Sequence, residues 1–103
     1  MKKNYLIEVP HKDSAEACYR AIKVFLDSGS HFLAKAEWGC PGGDHRAVMV
    51  VDVDSKEEAL QIVPPMYRKN AKITEMMTLT PDDMGMLKQK FNIVGEEYHK
   101  HDE

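Results

Sequence analysis

The sequence has few of the features that would place the chain in a membrane or on nucleic acid. No apolar run approaches the roughly 20 residues that a bilayer-spanning helix needs. Lysine and arginine number 14 against 17 aspartates and glutamates, a formal net charge of -3, so a basic surface for phosphate backbones is not expected. The stretch 1–10 is too short and too soon acidic for a secretory signal. We therefore expect a cytoplasmic protein with no nucleic-acid and no membrane partner.

Cysteine is scarce as well. Cys18 and Cys40 are too few for the disulfide framework of a small secreted domain, and in a reducing compartment both are predicted to remain thiols. The chain is 43% hydrophobic and 30% charged, which is typical of a globular protein, and 103 residues suffice for one core. The composition predicts a single domain over 1–94, followed by a polar, flexible tail over 95–103.

The spacing of apolar residues predicts alternating strands and helices. Four segments alternate apolar with polar residues or are continuously apolar, as strands are: 5–9, 32–40, 47–53 and 72–80. Three segments show helical spacing behind a serine or threonine cap: 15–26, 55–63 and 80–91. Because the third strand is nearly continuous in valine and methionine, we expect both of its faces to be covered.

This order of elements, β-α-β-β-α-β with an added C-terminal helix, predicts an α+β fold of the ferredoxin-like sandwich type with a four-stranded antiparallel sheet. Right-handed crossovers would place the third strand between the first and second, and the fourth strand outside the first. The helices can then cover only one face of the sheet. Apolar residues on the other face predict a partner surface, and the simplest partner is a second copy packed sheet on sheet.

Several local motifs carry a family resemblance. They are the Trp38-Gly39 pair before a glycine turn, the strand 48–53, the capped helix start 54–60, the Val63-Pro64-Pro65 break and a closing strand. With these motifs the chain resembles the dimeric α/β-barrel superfamily over about residues 5 to 80, and is most similar to its muconolactone-isomerase-like and small ferredoxin-like members. The resemblance implies a homodimer whose sheets enclose a cavity. It implies no single reaction, because this fold hosts isomerases, monooxygenases and lyases.

Residues suited to metal or thiol chemistry are predicted to meet at one edge of the sheet. The first two strands end where the third begins, which brings His11, Cys40 and His45 together. One thiolate and two imidazoles are suitable ligands for zinc, copper or nickel. Alternatively, residues 41–44 simply form a turn, with Cys40 packed as a small apolar residue and His45 on the surface. A cysteine beside an imidazole and a helix N-terminus is also typical of a reactive thiol.

Four further residues are candidates for ligand binding or proton transfer. Trp38 shares strand parity with Cys40 and is expected either to pack in the core or to line the cavity as a cofactor-binding residue. Arg68 precedes the fourth strand and is expected at the same edge, as a second cofactor-binding residue. Glu8 and Glu37 interrupt apolar strands, so they are either a catalytic acid and base or rim carboxylates paired with basic residues.

Two functions follow from these candidates. The first is a homodimeric α/β barrel that binds a small molecule or a transition metal at the His11, Cys40 and His45 edge. The alternative is a cofactor-independent isomerase or lyase that moves a proton with Glu8, Glu37 or a histidine in the barrel cavity. A structural or regulatory oligomer without a pocket is a third possibility. The sequence leaves open whether the protein is an enzyme and predicts no cofactor with certainty.

Overall fold

The protein folds around a four-stranded antiparallel sheet, which the computed structural model describes over residues 1–94. The strands are β1 (Lys3–Pro10), β2 (Glu37–Trp38), β3 (Arg46–Val53) and β4 (Lys72–Met76). Their order across the sheet is β2-β3-β1-β4, and each neighbouring pair is antiparallel. The α+β class and the four-stranded antiparallel sheet are therefore confirmed. The tail predicted over 95–103 lies outside the described residues.

Four α-helices accompany the sheet within the described residues: α1 (Ala15–Asp27), α2 (His31–Ala34), α3 (Lys56–Ile62) and α4 (Met84–Lys90). The hydroxyl oxygens of Ser14 and Ser55 accept hydrogen bonds from backbone N–H groups of the first turns of α1 and α3, both at 3.1 Å. Gly29 follows α1 with a φ of +78°, the left-handed conformation that ends many helices. Over residues 1–94 we find no helix with the length and apolarity to cross a membrane.

The core lies between one face of the sheet and the helices α1, α2 and α3. Alternate residues of β1 and β3 are buried there: Tyr5, Ile7, Val9, Ala47, Met49, Val51 and Val53. From the other side, α1 contributes Ala21 and Phe25, and α3 contributes Ala59. This face positions the candidate site, because the end of β1, the start of α1 and the end of β2 all meet at its edge.

The opposite face of the sheet is open. Val50 on β3 points to it and is 63% exposed, and its register neighbour Leu6 on β1 is only partly buried. The prediction that both faces of the third strand are covered is therefore wrong within residues 1–94 of a single chain. The open face lacks cover because α1 and α3, the helices that connect the strands, both pack on the other side of the sheet.

Two predicted strands are shorter than expected. The segment 32–40 begins as α2, because the Ser30 hydroxyl caps that helix by accepting from the Leu33 N–H at 3.3 Å, and β2 retains only Glu37–Trp38. The predicted strand over 72–80 ends at Met76. Met76 pairs with Asn4, one residue from the start of β1, so β1 has almost no backbone left to pair with residues 77–80.

Candidate functional site

Three side chains of types that can bind a metal ion meet at the edge of the core face. His11 follows β1, Cys18 lies in the first part of α1, and Cys40 opens the 3₁₀ turn Cys40–Gly42 after β2. Their ligand atoms all lie within 4.8 Å of one another. Sequence reasoning missed Cys18 as a member of this group, because its position fits the helical spacing of the segment 15–26 and indicates a packing residue. Its place within the first turns of a helix that starts at this edge was the signal that could have identified it.

The two cysteines are bonded to each other. Cys18 and Cys40 form a disulfide with Cα atoms 6.9 Å apart, and neither cysteine is free. The expectation that both remain thiols is therefore wrong for this structure. Its physical cause is the fold: the start of α1 and the turn after β2 arrive at the same edge, although 22 positions separate the two cysteines in the chain.

The two histidines lie opposite each other where the pairing of β1 and β3 continues. The His11 backbone N–H donates to the His45 carbonyl oxygen at 3.0 Å, and the ring centroids are 5.5 Å apart. The Nε2 atom of His45 lies 2.9 Å from a carboxylate oxygen of Asp13, which orients the ring. His45 thus lies next to the group of His11, Cys18 and Cys40 but does not belong to it. Cys18 takes the position in this group that the sequence analysis assigned to His45.

His11 is in an environment that suits a metal ligand. Both of its ring nitrogens, and Nδ1 of His45, are buried without a hydrogen-bond partner among the described residues. Burial lowers the pKa of His11 from its usual 6.5, and repulsion from His45 lowers it further. His11 is therefore neutral near neutral pH, with a lone pair on one ring nitrogen that no group in residues 1–94 engages.

Trp38 belongs to the core edge. It pairs with the buried Ala47, which places it on the helix-covered face, and its ring packs against Phe25 in a T-shaped contact with centroids 4.9 Å apart. Its ring centroid lies 6.0 Å from that of His11. Trp38 therefore packs in the core near His11, and it does not face a cavity on the open side of the sheet.

Arg68 has a structural contact in place of the expected ligand contact. Its Nε donates to the Val63 carbonyl at 2.7 Å and its Nη2 to the Gln61 carbonyl at 3.0 Å. These bonds satisfy carbonyl oxygens at the end of α3, which a helix leaves without internal partners. Two residues further on, Asn70 lines the same pocket as His11.

Glu8 and Glu37 lie on the other side of the sheet from the cysteines. Both are register neighbours of Val48, so their side chains share the open face. Glu37 is exposed, whereas the Glu8 side chain is 19% exposed and ion-paired with Arg46, which also binds Asp44 at 2.9 Å. The two carboxylates predicted as a catalytic acid and base, or as rim residues, are therefore separated from the cysteine and histidine group by the thickness of the sheet.

Comparisons with protein-family models, with curated proteins and with solved structures find no match to this chain. The resemblance to the dimeric α/β-barrel superfamily therefore stays a prediction. What carries a functional conclusion is the geometry at the edge of the core face.

Proposed function

We propose that this protein binds a transition metal ion, of the zinc, copper or nickel class, through Cys18, Cys40 and His11 when its two cysteines are reduced. The observation that carries the proposal is the approach of the three ligand atoms to within 4.8 Å of one another. Ligand atoms around a tetrahedral zinc are separated by roughly 3.5 to 3.8 Å, as its bond lengths require. Small side-chain rotations therefore suffice to form the site once the sulfurs separate.

The chemistry of the ligands supports a soft metal. Thiolates favour zinc and copper(I) over the hard cations that prefer oxygen. A neutral His11 contributes a lone pair, and no hydrogen bond within residues 1–94 has to break to release it. Three protein ligands leave a fourth position at a tetrahedral metal, as in zinc sites that also bind water or substrate.

Metal binding in this proposal depends on the redox state of the cysteines. The disulfide has no thiolates to offer, so it must first take up two electrons and two protons from a thiol reductant to become two thiols. The metal ion then displaces the two thiol protons. The cytoplasmic location expected from the sequence belongs to this proposal, since a reducing compartment favours the dithiol form. Rapid alkylation of cell lysates would measure the fraction of dithiol directly.

The test is zinc binding by untagged protein that has been reduced without oxygen. In every protein compared, the tail histidines His99 and His101 are replaced by alanine to remove competing imidazoles. We expect one zinc per chain, with a cobalt-loaded sample showing thiolate charge-transfer absorption. His11→Ala and Cys40→Ser should each weaken binding by about 10-fold or more. His31→Ala is the matched control, because His31 is an exposed histidine on α2.

Two outcomes would overturn the metal proposal. One is a reduced wild-type protein that binds no zinc, copper(I) or nickel. The other is equal zinc affinity in His11→Ala and His31→Ala, which would show that the imidazole beside the cysteines contributes nothing.

We also propose that the fold is ferredoxin-like and that two copies pair through the open face of the sheet. The exposure of Val50 at the centre of that face supports a partner. Four residues are register neighbours in one row across the sheet, from β2 to β4: Glu37, Val48, Glu8 and Lys72. The row therefore begins with an acid at the β2 edge and ends with a lysine at the β4 edge. A two-fold axis parallel to the strands places β2 over β4 of the other copy, so Glu37 would face Lys72 of the partner subunit.

Sedimentation equilibrium tests this pairing. We expect a dimer for the wild type and a shift toward monomer for Val50→Asp. Leu26→Asp is the control, since Leu26 is 59% exposed on α1, away from the open face. Glu37→Lys should weaken the dimer, and adding Lys72→Glu should restore it. A monomeric wild type, or equal effects of Val50→Asp and Leu26→Asp, would exclude this interface.

The alternative of an isomerase or lyase has less support. An acid–base role calls for a carboxyl in an apolar, uncompensated environment, whereas Glu37 is exposed and Glu8 has Arg46 as its counter-charge. We therefore propose metal binding in preference to proton transfer by these residues.

A further inference from the structure

A pocket of about 500 Å³ lies beside the candidate metal group. It is bounded by the end of β1, by α1 and by the 3₁₀ turn Pro65–Asn70 before β4, and His11 forms part of its wall. Its volume falls within the range of pockets that hold small organic ligands. None of the residues that line it is needed for the metal site except His11.

The pocket carries concentrated positive charge. Lys12 and Arg20 both line it, and among the residues that the structure describes no aspartate or glutamate does. Within residues 1–94 neither cation has an ion-pair partner or a side-chain hydrogen bond. Since the whole chain has a net charge of -3, the presence of two cations in the lining is a local property of the pocket and would attract an anion.

The rest of the wall is apolar with one amide. Met66 and Tyr67 contribute apolar surface, and Asn70 contributes hydrogen-bonding groups. The Tyr67 ring is held in place by the core, with its centroid 6.1 Å from that of Phe25. Two cations beside a fixed aromatic wall suit an amphipathic ligand with an acidic end and an apolar body.

We propose that this pocket binds a small organic carboxylate, held by Arg20 and Lys12 at its charged end and by Tyr67 and Met66 along its apolar body. The planar guanidinium of Arg20 can donate two parallel hydrogen bonds to one carboxylate. The inference goes beyond the metal site and does not depend on it, because these groups need neither reduced cysteines nor a bound metal.

The experiment uses the oxidised, metal-free protein and follows its backbone amide resonances during titration with benzoate. Benzamide is the neutral probe of matched shape, and inorganic phosphate is the anion without an apolar body. We expect saturable benzoate binding with a dissociation constant of about 1 mM, which is ordinary for a ligand of this size. The shifts should centre on Lys12, Ala17, Tyr67 and Asn70. Benzamide and phosphate should each bind at least about 10-fold more weakly.

Matched substitutions on α1 complete the test. Arg20→Gln should weaken benzoate binding about 10-fold, whereas Lys23→Gln should leave it unchanged, because Lys23 is outside this pocket and pairs with Asp27 at 2.9 Å. Both residues are exposed, so both variants should fold. Equal binding of benzoate and benzamide, tighter binding of phosphate, absence of saturation, or an unchanged Arg20→Gln would each overturn the proposal. A failure of zinc binding would not affect this result.

Discussion

Cys18 on α1 and Cys40 after β2 are bonded to each other across a separation of 22 positions. The bond fastens the first helix to the edge of the sheet at the point where β2 contributes only two paired residues. At the edge that holds the candidate metal group, β2 thus has the shortest pairing of any strand in the sheet, and the disulfide adds a covalent link from this edge to α1.

Reduction of this disulfide should lower the free energy of unfolding by about 3 kcal/mol, because the unfolded chain gains conformational entropy when the loop between the two cysteines is no longer closed. Urea unfolding with and without a thiol reductant, in the presence of a metal chelator, measures the change. The double variant Cys18→Ser with Cys40→Ser is the control, since its stability should not respond to the reductant. An unchanged wild type would contradict the role given to the bond.

Phe25→Ala should destabilise the protein by roughly 3 to 5 kcal/mol, as expected for an aromatic deletion in a core. Phe25 is 1% exposed and contacts the rings of Trp38 and Tyr67. Trp38 is the only tryptophan, so its emission should shift to longer wavelength at the same time. Leu26→Ala, at a position that is 59% exposed, should change stability by only about 0.5 kcal/mol.

Gly39→Ala should disturb the turn that carries Cys40. A Cβ at residue 39 would lie 2.5 Å from the backbone oxygen of Asp44, and backbone cannot move aside cheaply. We expect a loss of about 1 to 3 kcal/mol in stability together with weaker zinc binding by the reduced protein. Gly42→Ala is the control in the same turn, because a Cβ there meets nothing within 4 Å. If both alanines were tolerated equally, the close contact would be of no consequence.

The stability of the oxidised, metal-free protein should fall as the pH drops below the usual histidine pKa of 6.5. The pKa of His11 is lowered by burial and by His45, so below pH 6.5 the unfolded chain binds a proton that the folded protein still excludes. Stability therefore rises with pH across this window and is fully present above it. Urea unfolding at pH about 5.5 and about 7.5 should show a smaller difference for His11→Gln than for the control His31→Gln. An equal change in stability between the two pH values in both variants would contradict the effect of His11.

The local features of the fold were predictable. The starts of α1 and α3 follow from Ser14 and Ser55, whose caps act within one turn, and the left-handed position of Gly29 needs no distant partner. Strand lengths were harder to predict, because a strand ends where its partner ends. Thus β4 ends at Met76, the residue that faces the beginning of β1.

The candidate site was predictable only in part. His11 and Cys40 do meet at one edge, as antiparallel pairing of neighbouring strands implies. The bond between Cys18 and Cys40 could not be derived from the sequence, because a cysteine at an apolar position of a helix has the same spacing as the residues that pack in the core. The position of Glu8 and Glu37 on the opposite face depends on the pairing register of their strands. A shift of one residue in that register would move each side chain to the other face of the sheet, so the sequence alone did not decide it.

By itself the sequence determined the α+β class, the helix caps and the turn glycines, because each depends on interactions between residues close together in the chain. Only the tertiary structure decided that Cys18 joins Cys40, that Trp38 supports the core edge, and that two cations line a pocket next to His11. The physical reason is that these contacts depend on how α1 packs against the sheet. That packing is the sum of many weak apolar contacts, and no short stretch of the sequence indicates how they fit together.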